Sequence, residues 1–230
     1  MITLLHGENI VASRKSLTQI TQKAQQEGLE VASFDGKKID LSQIRPALES
    51  GSLFGKNRLV VVENLVSSPK GKDKKRILEY LSKGQFDNDL VLWEERQLKG
   101  QEEKQFSQAK IQLFRLDPVI FRFLENIRPG NSKLTLQLLQ ELKRKEEAEM
   151  IFYMLIRQIR LLILAKDLGA GGLSSLSPWQ QQKLLTQAKY FTLDQLQKFY
   201  KELLKVDFHQ KTSGDSYSLS SRLDLLLTSL

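Results

Sequence analysis

Glu49-Ser50-Gly51-Ser52-Leu53-Phe54-Gly55-Lys56-Asn57-Arg58-Leu59-Val60-Val61-Val62-Glu63-Asn64 holds two signals in one stretch. Its second part, Arg58–Glu63, is a continuous apolar run too short for a helix, and it predicts a buried strand. Its first part sets Leu53 and Phe54 between Gly51 and Gly55, whose conformational freedom marks a break on either side of the pair. Two bulky side chains at such a break are either tucked into the core or offered to a partner. In the second case the segment is a docking tip.

Similar runs recur on both sides of this strand. Ile2–His6, Leu29–Phe34, Leu90–Trp93 and Ile111–Leu116 are short and rich in Val, Ile, Leu and Phe. Helical spacing fills the gaps between them, at about 13–27, 41–49, 73–82 and 102–108. Strands alternating with helices predict a parallel sheet covered on both faces. After Pro118 and Pro129-Gly130-Asn131 the pattern changes to long helical segments, at about 134–142, 150–167, 179–190, 193–211 and 220–230. Near-continuous apolarity in 151–168 predicts a helix buried on most sides. The expected organisation is an α/β domain over residues 1–120 and an all-α domain over 121–230, with the boundary at about 117–131.

Composition narrows the function classes. The chain has 230 residues, is 40% hydrophobic and contains no cysteine, which excludes a disulfide scaffold, a Cys-based zinc module and a thiol nucleophile. The start, Met1–Gly7, has no basic n-region, and the longest apolar stretch is interrupted by Arg157, Gln158, Arg160 and Lys166. A soluble cytoplasmic protein without a membrane partner is expected. The net charge of +8 favours acidic partners. Residues 1–125 carry 20 basic and 17 acidic side chains and residues 126–230 carry 15 and 10, so neither half is a basic tail.

A turn after the first strand of a parallel sheet is where a phosphate loop would lie. Such a loop needs glycines for close backbone approach and a lysine for the charge. Gly7-Glu8-Asn9-Ile10-Val11-Ala12-Ser13-Arg14-Lys15 has one glycine and no Gly-Lys-Ser/Thr, and Glu8 would repel a phosphate. It reads as a plain strand-to-helix turn. Glu63 resembles a magnesium-holding strand end but has no nucleotide to serve. Adjacent strand residues point to opposite faces, so Glu94 and Glu95 cannot form one acid/base site, and the pairs Glu94-Glu95 and Glu102-Glu103 read as solvated surface. His6 and His209 stand in no ligand spacing, so no metal and no cofactor is expected. The densest basic run, Lys70, Lys72, Lys74, Lys75 and Arg76, lies on a loop entering a helix. It is either a DNA-contacting site or a solvated loop.

Four segments together resemble the delta subunit of the bacterial DNA polymerase III clamp loader. They are Leu4–Asn9, Ser52–Asn64, Leu155–Leu168 and Leu204–Gly214, the last with an Asp207…Lys211-Thr212-Ser213-Gly214 ending. They follow one another in the family's order and span nearly the whole chain. The resemblance implies a degenerate AAA+ (RecA-like) domain followed by a helical collar. It further implies a subunit that binds no ATP and opens the sliding clamp. On this resemblance Leu53 and Phe54 are the clamp-binding pair. Arg157, Gln158, Arg160, Asp207 and Lys211 lie in the collar, which joins the ATPase subunits of the loader. DNA would be contacted indirectly or weakly. The family's small helical lid has no room between Leu116 and the collar. Polymerase activity would reach such a chain only through its complex, because it offers no carboxylate array for nucleotidyl transfer. Two other readings remain: a divergent nucleotide hydrolase using Glu63 and Lys15, and a DNA-binding adaptor built on Lys70–Arg76.

Overall fold

The computed structural model describes residues 1–50, 58–69, 71–84, 86–212 and 217–228. The chain divides into two compact units, Met1–Arg115 and Leu116–Leu230. The first is a five-stranded, wholly parallel sheet made of β1 (Ile2–Gly7), β2 (Glu30–Asp35), β3 (Arg58–Glu63), β4 (Asp89–Glu94) and β5 (Lys110–Phe114), in the order β2-β3-β4-β1-β5. Helices α1 (Ile10–Gln26), α2 (Leu41–Glu49), α3 (Lys72–Ser82) and α4 (Gly100–Lys104) make or follow the crossovers.

Period-two alternation sends successive residues of each central strand into different cores. Leu4, Val60, Val62, Leu90 and Leu92 pack with Ile44, Leu48, Ile77 and Leu81 of α2 and α3. Leu5, Leu59, Val61, Val91 and Trp93 pack with Leu17 and Ala24 of α1. The central strands are therefore apolar on both faces, which is why they read as unbroken hydrophobic runs. Gly7 ends β1 at φ +145°, and a Cβ there would fall 2.0 Å from the carbonyl oxygen of Phe114 in β5. Only glycine fits that position.

Among its described residues the second unit is all helical: α5 (Val119–Glu125), α6 (Ser132–Leu142), α7 (Ala148–Leu168), α8 (Pro178–Ala188), α9 (Leu193–Lys211) and α10 (Leu219–Thr228), with a 3₁₀ turn at Gly169–Leu173. Helix α7 lies at its centre, against α5, α8, α9 and α10. Its buried Ile151, Leu155, Ile159 and Leu162 recur at helical spacing. Tyr153, Leu164 and Leu168 remain exposed, so the apolar run 151–168 is not sealed on all sides. Helices α8 and α9 start on reciprocal caps, Ser177 with Gln180 and Thr192 with Gln195, each satisfying otherwise unpaired N–H groups. Helix α5 was not expected from periodicity. It is only seven residues long and starts after Pro118, where the Asp117 carboxylate accepts from the Val119 N–H at 2.9 Å. Between β5 and α7 the chain builds only α5 and α6, and α6 packs on α5 and α10.

Candidate functional site

In open parallel sheets ligands bind beyond the carboxyl ends of the strands. At the end of β1, Asn9 Oδ1 accepts from the N–H of Ala12 at 3.0 Å and caps α1, while the Asn9 N–H donates to Phe114 O at 3.1 Å. The helix N-terminus that would face a phosphate is thus closed by the chain's own side chain. Beside it the Arg14 guanidinium lies 3.6 Å from the centroid of the Trp93 ring and donates to Glu63 Oε2 at 2.6 Å. Trp93 Nε1 donates to Ser13 Oγ at 3.1 Å. Glu63, on the strand end where a metal-holding carboxylate would stand, is neutralised by an arginine from α1. Lys15 is exposed.

The next strand end buries more charge. Glu94 is fully buried, which corrects the expectation of a solvated pair; only Glu95 is exposed. The Glu94 carboxylate accepts from the N–H of Val66 at 2.6 Å, the N–H of Ser67 at 2.9 Å and the hydroxyl of Ser67 at 2.5 Å. Burial pushes this carboxyl up, and those hydrogen bonds and the charge of Arg96 pull it back. Arg96 grips Glu102 through two hydrogen bonds, 2.9 and 2.7 Å, and holds its carboxyl down at about 2. His6 is buried; its Nδ1 accepts from the N–H of Leu98 at 3.1 Å and its Nε2 lies 3.6 Å from Glu103. Burial lowers the pKa of this imidazole, which leaves it neutral with the proton on Nε2. The cluster fixes loops; among the described residues no three His, Asp or Glu side chains form a metal-binding group.

The expected site residues fall in several places. Leu53, Phe54 and Lys70 lie outside the described residues. Lys72, Lys74, Lys75 and Arg76 open α3. Lys74 points back, donating to the carbonyls of Val66 (2.8 Å) and Ser68. With Glu94 on the N–H groups and Lys74 on the carbonyls, the 65–68 loop is held from both sides. Lys75 and Arg76 are exposed beside Glu79 (3.7 Å) and Asp73 (4.0 Å).

In the helical unit Arg157 and Arg160 are exposed on α7. Gln158 donates to Gln187 at 2.7 Å, and buried Gln187 donates to the carbonyls of Leu124 and Ile127, so the Gln158 amide is used inside the unit. Asp207 and Lys211 pair along α9 at 2.8 Å.

Sequence reasoning passed over an apolar pair one turn apart on α9, Leu204 (61% exposed) and Phe208 (62% exposed). Their four-residue spacing was visible, but which helix face lies outward was not. Trp179 is also exposed (65%), with Lys183 4.2 Å from its ring, and Tyr190 carries Arg128 at 5.0 Å. Exposed rings next to cations are surfaces on which bases can stack.

No helix among the described residues is long and apolar enough to cross a membrane. None of the curated proteins compared with the sequence is similar to it. The solved Bacillus subtilis DNA clamp loader delta protein is similar in fold, with a TM-score of 0.50 and 16% identity, over 99% of this chain and 94% of that one. A Thermotoga maritima DNA polymerase III gamma subunit-related protein matches at a TM-score of 0.38 and 13% identity, over 99% and 93%. The expected α/β parallel sheet followed by an all-helical region is the one observed. The family model for the DNA polymerase III delta subunit matches residues 4–115, and that for the C-terminal domain of the same subunit matches residues 117–228. Nearly the whole chain is accounted for by these two matches, and it belongs to the DNA polymerase III delta subunit family.

Proposed function

We propose that this chain binds the sliding clamp and favours its open form, as a clamp-loader subunit with no ATPase of its own. The observation that carries the reading is the closed carboxyl end of β1: in a delta-family chain, Asn9 caps α1 and the Arg14–Trp93–Glu63 stack stands where a nucleotide would need free N–H groups and a lysine. Leu53 and Phe54 are the clamp anchors. Burying each in an apolar pocket contributes about 1.5–3 kcal/mol, enough to act as a hot spot within a larger interface. Opening follows from differential affinity: docking shifts the clamp only by as much as the open form is bound more tightly than the closed one.

The helical unit joins the ATP-driven subunits. Exposed Leu204 and Phe208, with Arg157, Arg160, Asp207 and Lys211, supply that surface. DNA is contacted weakly, through Lys72, Lys75 and Arg76 and through the Trp179 and Tyr190 rings. The adaptor reading loses ground because Lys74 is spent on loop carbonyls and Lys75 and Arg76 sit beside carboxylates.

The test is equilibrium binding of the chain to its sliding clamp without ATP, beside the Leu53→Ala/Phe54→Ala variant and an ATP titration. Expected are clamp binding by the parent, a loss of about 100-fold or more in a still-folded variant, and no ATP binding. ATP binding would return the hydrolase reading with Lys15 and Glu63. A folded parent that ignores the clamp but binds duplex DNA with a steep salt dependence would establish the adaptor instead.

A further inference from the structure

Residues 51–57, which include Leu53 and Phe54, are flanked by two described chain ends, and both ends terminate on one side chain. Asn88 precedes β4 and is 1% exposed. Its Nδ2 donates to the carbonyls of Ser50 (2.9 Å) and Ala47 (3.0 Å), and its Oδ1 accepts from the backbone N–H of Arg58 (2.7 Å). Its own N–H donates to Leu48 O at 3.3 Å. Both amide hydrogens and the amide oxygen are therefore used, and no other small side chain offers two donors and an acceptor in one plane. Because Ser50 O and Arg58 N bond the same amide, they lie no more than about 8 Å apart.

Each end is fastened a second time. Arg58 Nη2 donates to Glu30 Oε2 at 2.7 Å, its directly opposite partner in the β2–β3 pairing. Glu49 accepts from Arg45 Nε at 3.0 and 3.1 Å and from the Tyr80 hydroxyl at 3.1 Å. Burial, then the bond to Glu49, pushes that phenol up to about 12, so it stays a donor at any working pH.

We infer that Asn88 is a positioning residue for clamp docking: a single buried amide ties together the two chain ends between which Leu53 and Phe54 are carried. This rests on the proposed role of that pair as clamp anchors. The ends are ordered before the clamp arrives, so docking does not bear the entropy of bringing them together. Without the amide, the Ala47 carbonyl loses its partner in a buried position and the Ser50 carbonyl and the Arg58 N–H lose theirs in partly buried ones.

The experiment uses the full chain and its sliding clamp, with Asn88→Ala, Asn88→Asp and, as a destabilising core control on the opposite face of the sheet, Leu17→Ala. Asn88→Asp keeps the acceptor for Arg58 and loses both donors, so it serves if the alanine variant does not fold. Clamp affinity is read at a temperature where circular dichroism shows every variant folded, and amide hydrogen exchange is read at Arg58, Val60 and Val61 in the free chain. Expected are a loss of about tenfold in clamp affinity for the folded Asn88 variants and parental affinity for Leu17→Ala. Asn88→Ala should also speed exchange at Arg58 while Val60 and Val61 stay protected. Asn88 variants that bind like the control would overturn the inference and leave the clamp reading standing. A folded parent that does not bind the clamp would overturn both.

Discussion

The two units spend their polar and apolar side chains in opposite ways. Among the described residues, the sheet unit buries Thr3, His6, Asn9, Ser13, Ser68, Asn88 and Glu94, whereas the helical unit buries only Thr135 and Gln187. Among the described residues the large apolar side chains left in solvent are reversed: Met1, Ile111 and Leu113 in the sheet unit, against a series that includes Leu168, Trp179, Leu204, Phe208 and Leu225 in the helical one. A polar group is retained inside only where its partners are fixed, because an unpaired one costs more than the pair contributes. The sheet unit thus uses its interior to set loops, and the helical unit leaves large apolar side chains in solvent.

Removing a buried polar partner from the sheet unit should have the largest effect. Glu94→Ala leaves the N–H groups of Val66 and Ser67 without their acceptor and should cost about 2–4 kcal/mol in urea unfolding. A change under about 0.5 kcal/mol would mean that water replaces the carboxylate and that the contrast between the interiors is one of composition only.

The converse substitution tests the helical surface. Leu204→Ser with Phe208→Ser should alter stability by less than about 0.5 kcal/mol, since both side chains are already in water. It should nevertheless abolish co-purification with the loader's ATPase subunits. A large drop in melting temperature would place the pair in the core and break the comparison.

The smallest expected effect is in acid, at the Arg96–Glu102 pair beyond the end of β4. Arg96 holds Glu102 at about 2, below its ordinary 4.5. A depressed carboxyl contributes stability above its unfolded pKa and loses it as pH falls toward the folded value. Stability should therefore decline between about pH 4.5 and 2 in the parent, and less steeply in Glu102→Gln, followed by chemical denaturation at each pH. Equal slopes would show that the Arg96–Glu102 pair is energetically silent.

How much could be read in advance differs between the elements. Arg58–Glu63 and Leu41–Glu49 form with the expected bounds. Helix α1 begins three residues before the expected Ser13, because the cap at Asn9 adds a first turn without apolar spacing. Helix α5 was missed for its brevity. Among the candidate site residues, the sequence marked Leu53, Phe54 and the basic run, but it misjudged Glu94 and gave no sign of Asn88. A polar residue before a strand looks the same whether it faces water or ties two chain ends.

The sequence by itself determined the class of fold and the absence of a phosphate loop. Periods of two and of three to four depend on neighbours a few residues apart, and a missing Gly-Lys-Ser/Thr is a local fact. Only the tertiary structure decided which polar groups meet. Arg14 reaches Glu63 across 49 residues, Trp93 reaches Ser13 across 80, and Asn88 reaches Arg58 across 30. Those distances close only when the parallel register brings the strand ends side by side, and the strand order β2-β3-β4-β1-β5 that does so is written in no single stretch of chain.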